Sequence, residues 1–242
     1  MAAILIFLFY GDFVIRPVLA ARGQMGGALA QGGGVPKWWL AAGVTPVAAY
    51  APKGAASLAA SYINLANPGT LDAAPGVAPT WSAASGWSFN GSTQYLTTGI
   101  IPTTNQAYSS IARYQNWTLV SGRALAGLRN GSGSRQFGLA FSGGKTQYFN
   151  GGVLEPAVSP ATSGNLAVAG NLGYRNGVVE SGTIGAWSDP GIANTTAIFI
   201  GARNNMGVAD NFTMVEILAL AVYSSTLNAA GIAAVVTAMA AL

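Results

Sequence analysis

The chain has 242 residues; 51% are hydrophobic and only 7% are charged, 11 Lys and Arg against 7 Asp and Glu, with no histidine and no cysteine. A soluble domain carries about 25% charged residues, so a surface this poor in charge lacks the repulsion and hydration that keep monomers apart, which points to burial against neighbouring subunits. The same inventory excludes disulfide frameworks, thiolate metal sites and the usual Ser-His-Asp, Cys-His and histidine-zinc hydrolases, and its scattered cations form no patch for nucleic acid.

The first ten residues are the most hydrophobic stretch, with Ile4, Leu5, Ile6, Phe7, Leu8, Phe9 and Tyr10 in succession. They are too few to span a bilayer, which takes about 20 apolar residues, and no positive charge precedes them as in a secretory signal. Residues 1–22 are expected to form an arm that docks on a neighbouring subunit, through these seven side chains or as an added strand; the alternatives are burial in the core of their own domain and a secretory or membrane segment. Residues 23–37 are rich in glycine and read as a linker. Trp38 and Trp39 follow, expected to anchor the arm to the edge of a domain spanning 38–242.

Within that domain 33 Gly and 11 Pro along the chain rule out long helices over most of the length. Strand-like runs fall at 47–50, 86–89, 95–98, 109–114, 118–121, 137–141, 146–149, 165–169, 172–175, 197–200 and 212–223. Asn-Gly pairs at Asn90, Asn130, Asn150 and Asn176 lie between or beside them and favour tight hairpins. This rhythm predicts an all-β antiparallel sandwich. The last segment, 226–242, reads as a short helix capped by Thr226 or Asn228, with Ile232, Val235, Val236 and Met239 on the face that packs on the sandwich.

Four segments, in order, resemble the concanavalin A-like jelly roll of the laminin G-like lectin/glucanase superfamily. Trp87-Ser-Phe-Asn-Gly-Ser-Thr-Gln-Tyr-Leu96 is similar to an early hairpin with one aromatic on each side of a tight turn. Tyr174-Arg-Asn-Gly-Val178 is similar to a later hairpin, and Ile200-Gly201 to the strand after it. Val215 to Ile232 is similar to the closing strand that precedes a short helix. The resemblance covers 47–242 and implies two antiparallel sheets. The wording of the chain, including 48–57 and 64–70, also resembles jelly-roll proteins encoded among tailed-phage structural genes, which implies a virion component assembled with copies of itself and other structural subunits.

Glycanases on this fold set two carboxylates about 5 to 9 Å apart. The acids here, Asp12, Asp72, Glu155, Glu180, Asp189, Asp210 and Glu216, are widely separated, and Glu216, the one in a clear strand, has no acidic partner on its face. No enzyme is expected. The family often holds calcium at its rim, for which Asp189 and Asp210 are the candidates; an Asx-turn role for Asp189 is the simpler reading, and no cofactor is expected. Sugar binding requires exposed rings beside amides, and Trp117, Tyr148, Trp187, Asn204 and Asn205 are the residues available, against the plainer reading that such tryptophans are buried. The sequons at Asn90, Asn116, Asn130, Asn194 and Asn211 read as turn chemistry. The leading expectation is a non-enzymatic virion protein held by its arm. The alternatives are a lectin-like module for a cell-surface glycan and a subunit of a non-viral extracellular filament or surface layer.

Overall fold

A computed structural model describes residues 37–103, 107–131, 135–186 and 195–242. The expected arm at 1–22 and all of the linker except Lys37 lie outside the described residues, as do Trp187, Asp189 and Asn194.

The described residues form β1 (Ala48–Tyr50), β2 (Ala74–Val77), β3 (Thr80–Ser82), β4 (Gly86–Asn90), β5 (Tyr95–Thr97), β6 (Ser109–Gln115), β7 (Arg123–Arg129), β8 (Gln136–Ser142) and β9 (Lys145–Asn150). Then follow β10 (Gly152–Leu154), β11 (Gly164–Ala169), β12 (Leu172–Arg175), β13 (Val178–Val179), β14 (Phe199–Ile200), β15 (Arg203–Asn205), β16 (Val208–Asp210) and β17 (Met214–Tyr223). Two helices, α1 (Leu58–Ser61) and α2 (Ala229–Met239), and a 3-10 turn at Trp38–Leu40 complete the set.

The strands make two sheets. An eight-stranded sheet runs β13-β12-β11-β6-β17-β4-β3, with β1 also on β17; a nine-stranded sheet runs β10-β9-β8-β7-β14-β5-β2, with β15 and β16 attached at β7. All pairs are antiparallel except β15 on β7. This is the expected jelly-roll sandwich, with one short helix at its C-terminal end.

Strand β17 shows why. Val215, Ile217, Leu220 and Val222 face the core between the sheets, while Ala219, Ala221 and Tyr223 face a second cluster on the outer side. A bulge between Ile217 and Ala219 inverts the alternation midway, and burial of both faces accounts for the apolar run from Ile217 to Tyr223. Helix α2 covers that outer side. Asn228, one of the two expected caps, accepts the Gly231 N–H at 2.8 Å, and Ile232, Val235, Val236 and Met239 are buried as the periodicity predicts. At the other end the Arg113 guanidinium donates to the Met239 carbonyl, and Lys53 Nζ donates to that of Leu242 at 2.8 Å, placing cations where the helix dipole favours them.

Several expectations are corrected. Trp38 and Trp39 do not sit at a sandwich edge; they are buried with α2 against Ile111, Ala167 and Tyr174, and the Tyr223 hydroxyl donates to the Trp39 carbonyl at 2.7 Å. Asn90-Gly91 makes no hairpin, because β4 and β5 belong to different sheets. Asn90 Oδ1 instead accepts the N–H groups of Ser92, Thr93 and Gln94, an Asx turn that carries the chain from one sheet to the other. Residues 118–121 form a loop rather than a strand. The strand is the next segment, β7, whose Ala and Gly content lacks the β-branched signal. Asn176-Gly177 does form the expected hairpin, joining Arg175 to Val178 with both residues at positive φ.

Candidate functional site

Alternation along three adjacent strands of the nine-stranded sheet sorts side chains between its faces. In β8, Phe137, Leu139 and Phe141 enter the core, leaving Gln136, Gly138, Ala140 and Ser142 outside. In β9, Tyr148 enters the core and Gln147 and Phe149 lie outside, partly exposed. In β7, a register shift between Ala124 and Ala126 turns Ala124, Gly127 and Arg129 outward, opposite Ala140, Gly138 and Gln136.

The result is a shallow trench along β7 and β8 with a floor of Ala124, Gly127, Gly138 and Ala140, enclosing a volume of about 30 Å³. Phe149 and Gln147 form one wall; Arg203 and Asn211 form the other. The wall backbones are three strand spacings apart, about 14 Å. The floor has no room for larger residues: a Cβ at Gly138, whose φ is +147°, would lie 2.2 Å from the Ala126 carbonyl oxygen.

The far wall is held by charge and amides. Arg203 donates from Nε and Nη2 to the two carboxylate oxygens of Asp210, each at 2.8 Å, and Asn205 Nδ2 donates to Oδ2 at 3.0 Å. Such bidentate pairing fixes orientation as well as charge. Asn204 is buried beneath, donating to the Ala197 carbonyl at 2.8 Å and accepting the Gly207 N–H at 2.7 Å. It shapes the β15–β16 turn, where Met206 and Gly207 both have positive φ. On the near wall Gln147 donates to Glu155.

The residues named from sequence are therefore divided. Trp117 is not available to a sugar: it is 1% exposed, and its indole N–H donates to Thr213 Oγ1 at 2.6 Å. Tyr148 is fully buried, its hydroxyl donating to the Tyr174 carbonyl at 3.2 Å. Burial, and then the Glu180 carboxylate, push its phenol above the ordinary range. Asn204 is likewise enclosed, and of the four that are described only Asn205, through its bond to Asp210, adjoins the site's wall. Both carboxylate oxygens of Asp210, a weak calcium candidate, accept from Arg203 and Asn205, and among the described residues no group of three or more acids able to hold a metal occurs.

Phe149, Gln147, Gln136, Gly127 and Gly138 were missed from sequence. Their signal was the alternation itself: placing Phe137, Leu139 and Phe141 in the core fixes Tyr148 inside and Phe149 outside through the β8–β9 register. The remaining described acids serve turns and strands. Asp72 accepts the N–H groups of Asn64 and Gly69, and Glu216 accepts from Gln115 and Asn116.

The fold is similar to that of Trypanosoma rangeli sialidase in complex with 2,3-difluorosialic acid, at 16% identity over 91% of this chain and 38% of that chain, with a TM-score of 0.58. The same sialidase with the inhibitor DANA is similar at 16% identity, over 94% of this chain and 39% of that one, with a TM-score of 0.57. A receptor binding domain is similar at 11% identity, over 84% and 53%, with a TM-score of 0.53. This chain thus spans little more than a third of the sialidase. At such identities the likeness is one of fold. No protein-family model matches the sequence, and no curated protein is significantly similar to it.

Proposed function

We propose that the sandwich is a non-catalytic glycan-binding module, of the lectin-like kind, that presents the β7–β8 trench to an extracellular or cell-surface sugar. The observation that carries this is the partly exposed ring of Phe149 beside the paired, side-chain-free Gly127 and Gly138, with the Gln136 and Gln147 amides close by. A sugar ring has an apolar face to stack on an aromatic and hydroxyls for amides to bond. A bare floor lets it approach the backbone. The shared fold of a sialidase bound to a sialic acid derivative and of a receptor binding domain fits the same role. The described acids are tied up singly, which favours binding without hydrolysis.

Binding to a glycan array tests this. The wild-type protein is expected to retain a defined set of glycans and Phe149→Ala to lose them while staying folded; a silent array for the folded wild type would overturn it.

The scarcity of charge, 7% of the chain, favours a second reading in which the protein is a structural subunit of a virion or an extracellular filament, assembled through residues 1–22. Light scattering on the full chain decides it: a stable monomer at high concentration would remove this reading. Among the described residues no helix is long and apolar enough to cross a membrane.

A further inference from the structure

The trench is electrically lopsided. At one end Gln147 meets the Glu155 carboxylate. At the other, Arg129 stands on the outer face between Gln136 of β8 and Asn205 of β15, its direct partners across the two ladders. The cation nearest to it in the β15 ladder, Arg203, is already neutralised by two bonds to Asp210. Arg129 is not. It makes no ion pair among the described residues, and its Nε is shielded from solvent without an acceptor. A guanidinium stays charged at any physiological pH and presents a planar fork matched to carboxylate and sulfate oxygens. The Nε is closed off, but Arg129 as a whole is partly exposed, so an arriving oxyanion meets the remainder of the fork.

We propose that Arg129 makes the trench selective for anionic glycans, pairing with a carboxylate or sulfate ester on the sugar at the Gln136 end, while Glu155 repels such a group from the opposite end. This rests on the glycan-binding reading above and adds the class of sugar and its direction in the trench. Neutral sugars still stack on Phe149; the anionic group adds affinity through Arg129.

The probes are matched oligosaccharides on one array: neutral chains, the same chains ending in a carboxylated sugar, their methyl esters, and the same chains bearing a sulfate ester. The wild type is expected to bind at least one anionic form about tenfold or more tightly than its neutral counterpart, the factor that a charge-assisted hydrogen bond supplies, with the advantage shrinking as salt rises. The carboxylate and sulfate arms show which group is recognised. If the carboxylate is the group, methyl esterification reduces binding to the neutral level, a result that needs no variant. Arg129→Gln removes the advantage and leaves neutral binding intact, and Arg129→Lys keeps part of it. Equal binding of neutral and anionic forms by the wild type, or a preference that survives in Arg129→Gln, overturns the proposal while Phe149-dependent binding leaves the glycan reading standing. Absence of any glycan binding overturns both.

Discussion

Gly138 stands directly across the β7–β8 ladder from Gly127, so two adjacent strands contribute no side chain at the centre of the trench. A Cβ added to Gly138 would lie 2.2 Å from the Ala126 carbonyl oxygen and 2.6 Å from the Gly127 Cα, at a φ of +147° that side chains rarely adopt. Gly138→Ala is therefore expected to destabilise the fold by about 1 to 3 kcal/mol, read as a lower urea midpoint. Phe149→Ala, by contrast, removes a partly exposed ring and is expected to move the midpoint far less while abolishing glycan retention. Equal midpoints for wild type and Gly138→Ala would show that the ladder relaxes and that the glycine pair is dispensable.

The indole of Trp117 and the hydroxyl of Thr213 form a sealed pair, 2.6 Å apart, with 1% and 0% of the two residues exposed. Thr213→Val keeps the shape and removes the acceptor, leaving a buried donor with no partner. The expected loss is about 1 to 3 kcal/mol. Thr213→Ser retains the oxygen and should lose less of that stability. A valine variant as stable as wild type would mean that the indole finds another acceptor.

Stability should be flat from pH 6 to 9, where the absence of histidine leaves few groups to titrate, and fall above pH 10. In an unfolded chain tyrosine ionises near 10. Burial pushes Tyr114 up to about 12, partly offset by Arg175, and burial raises Tyr50 and Tyr223 as well. Between pH 10 and 12 the unfolded state releases protons that the folded state retains, so stability present below pH 10 is lost as pH rises, on the order of 3 kcal/mol from Tyr114 alone. Denaturation midpoints and phenolate absorbance check this together. Full ionisation of every tyrosine near pH 10 with circular dichroism unchanged would refute it.

The fold was largely legible in the sequence because the core strands alternate cleanly, as β8 does, or are apolar over most of their length, as β17 is from Ile217 on, and because Asn176-Gly177 and Asn228 carry chemistry that fits one turn and one cap. Strand β7 was not legible. Its Ala-Leu-Ala-Gly-Leu centre has weak strand propensity, and the register shift after Ala124 breaks the alternation that would have sorted its faces. The trench was hidden for the same reason: a floor of glycine and alanine has no chemical signature, and its polar wall depends on β15 turning back along β7. Trp117 and Tyr148 drew attention as aromatics near loops, but only the β8–β9 register tells that Tyr148 points inward and Phe149 outward.

Arg175 and Glu180 make a shielded ion pair at the edge of the eight-stranded sheet, with 15% and 7% of their side chains exposed. The guanidinium also donates to the Ser159 carbonyl at 2.6 Å and to Thr146 Oγ1 at 3.1 Å, so one side chain ties β12 to β9 of the opposite sheet and to the loop before β11. Removing the cation alone strands a desolvated carboxylate and frees that loop. Arg175→Met alone is expected to destabilise by about 3 to 5 kcal/mol, and the double substitution Arg175→Met with Glu180→Leu by clearly less than the sum of Arg175→Met and Glu180→Leu, since the unpaired charge is gone. A double-mutant cycle measures the difference as a coupling between the two sites. If the two single losses simply add, the pair contributes no coupling and the loop contacts of Arg175 account for its effect.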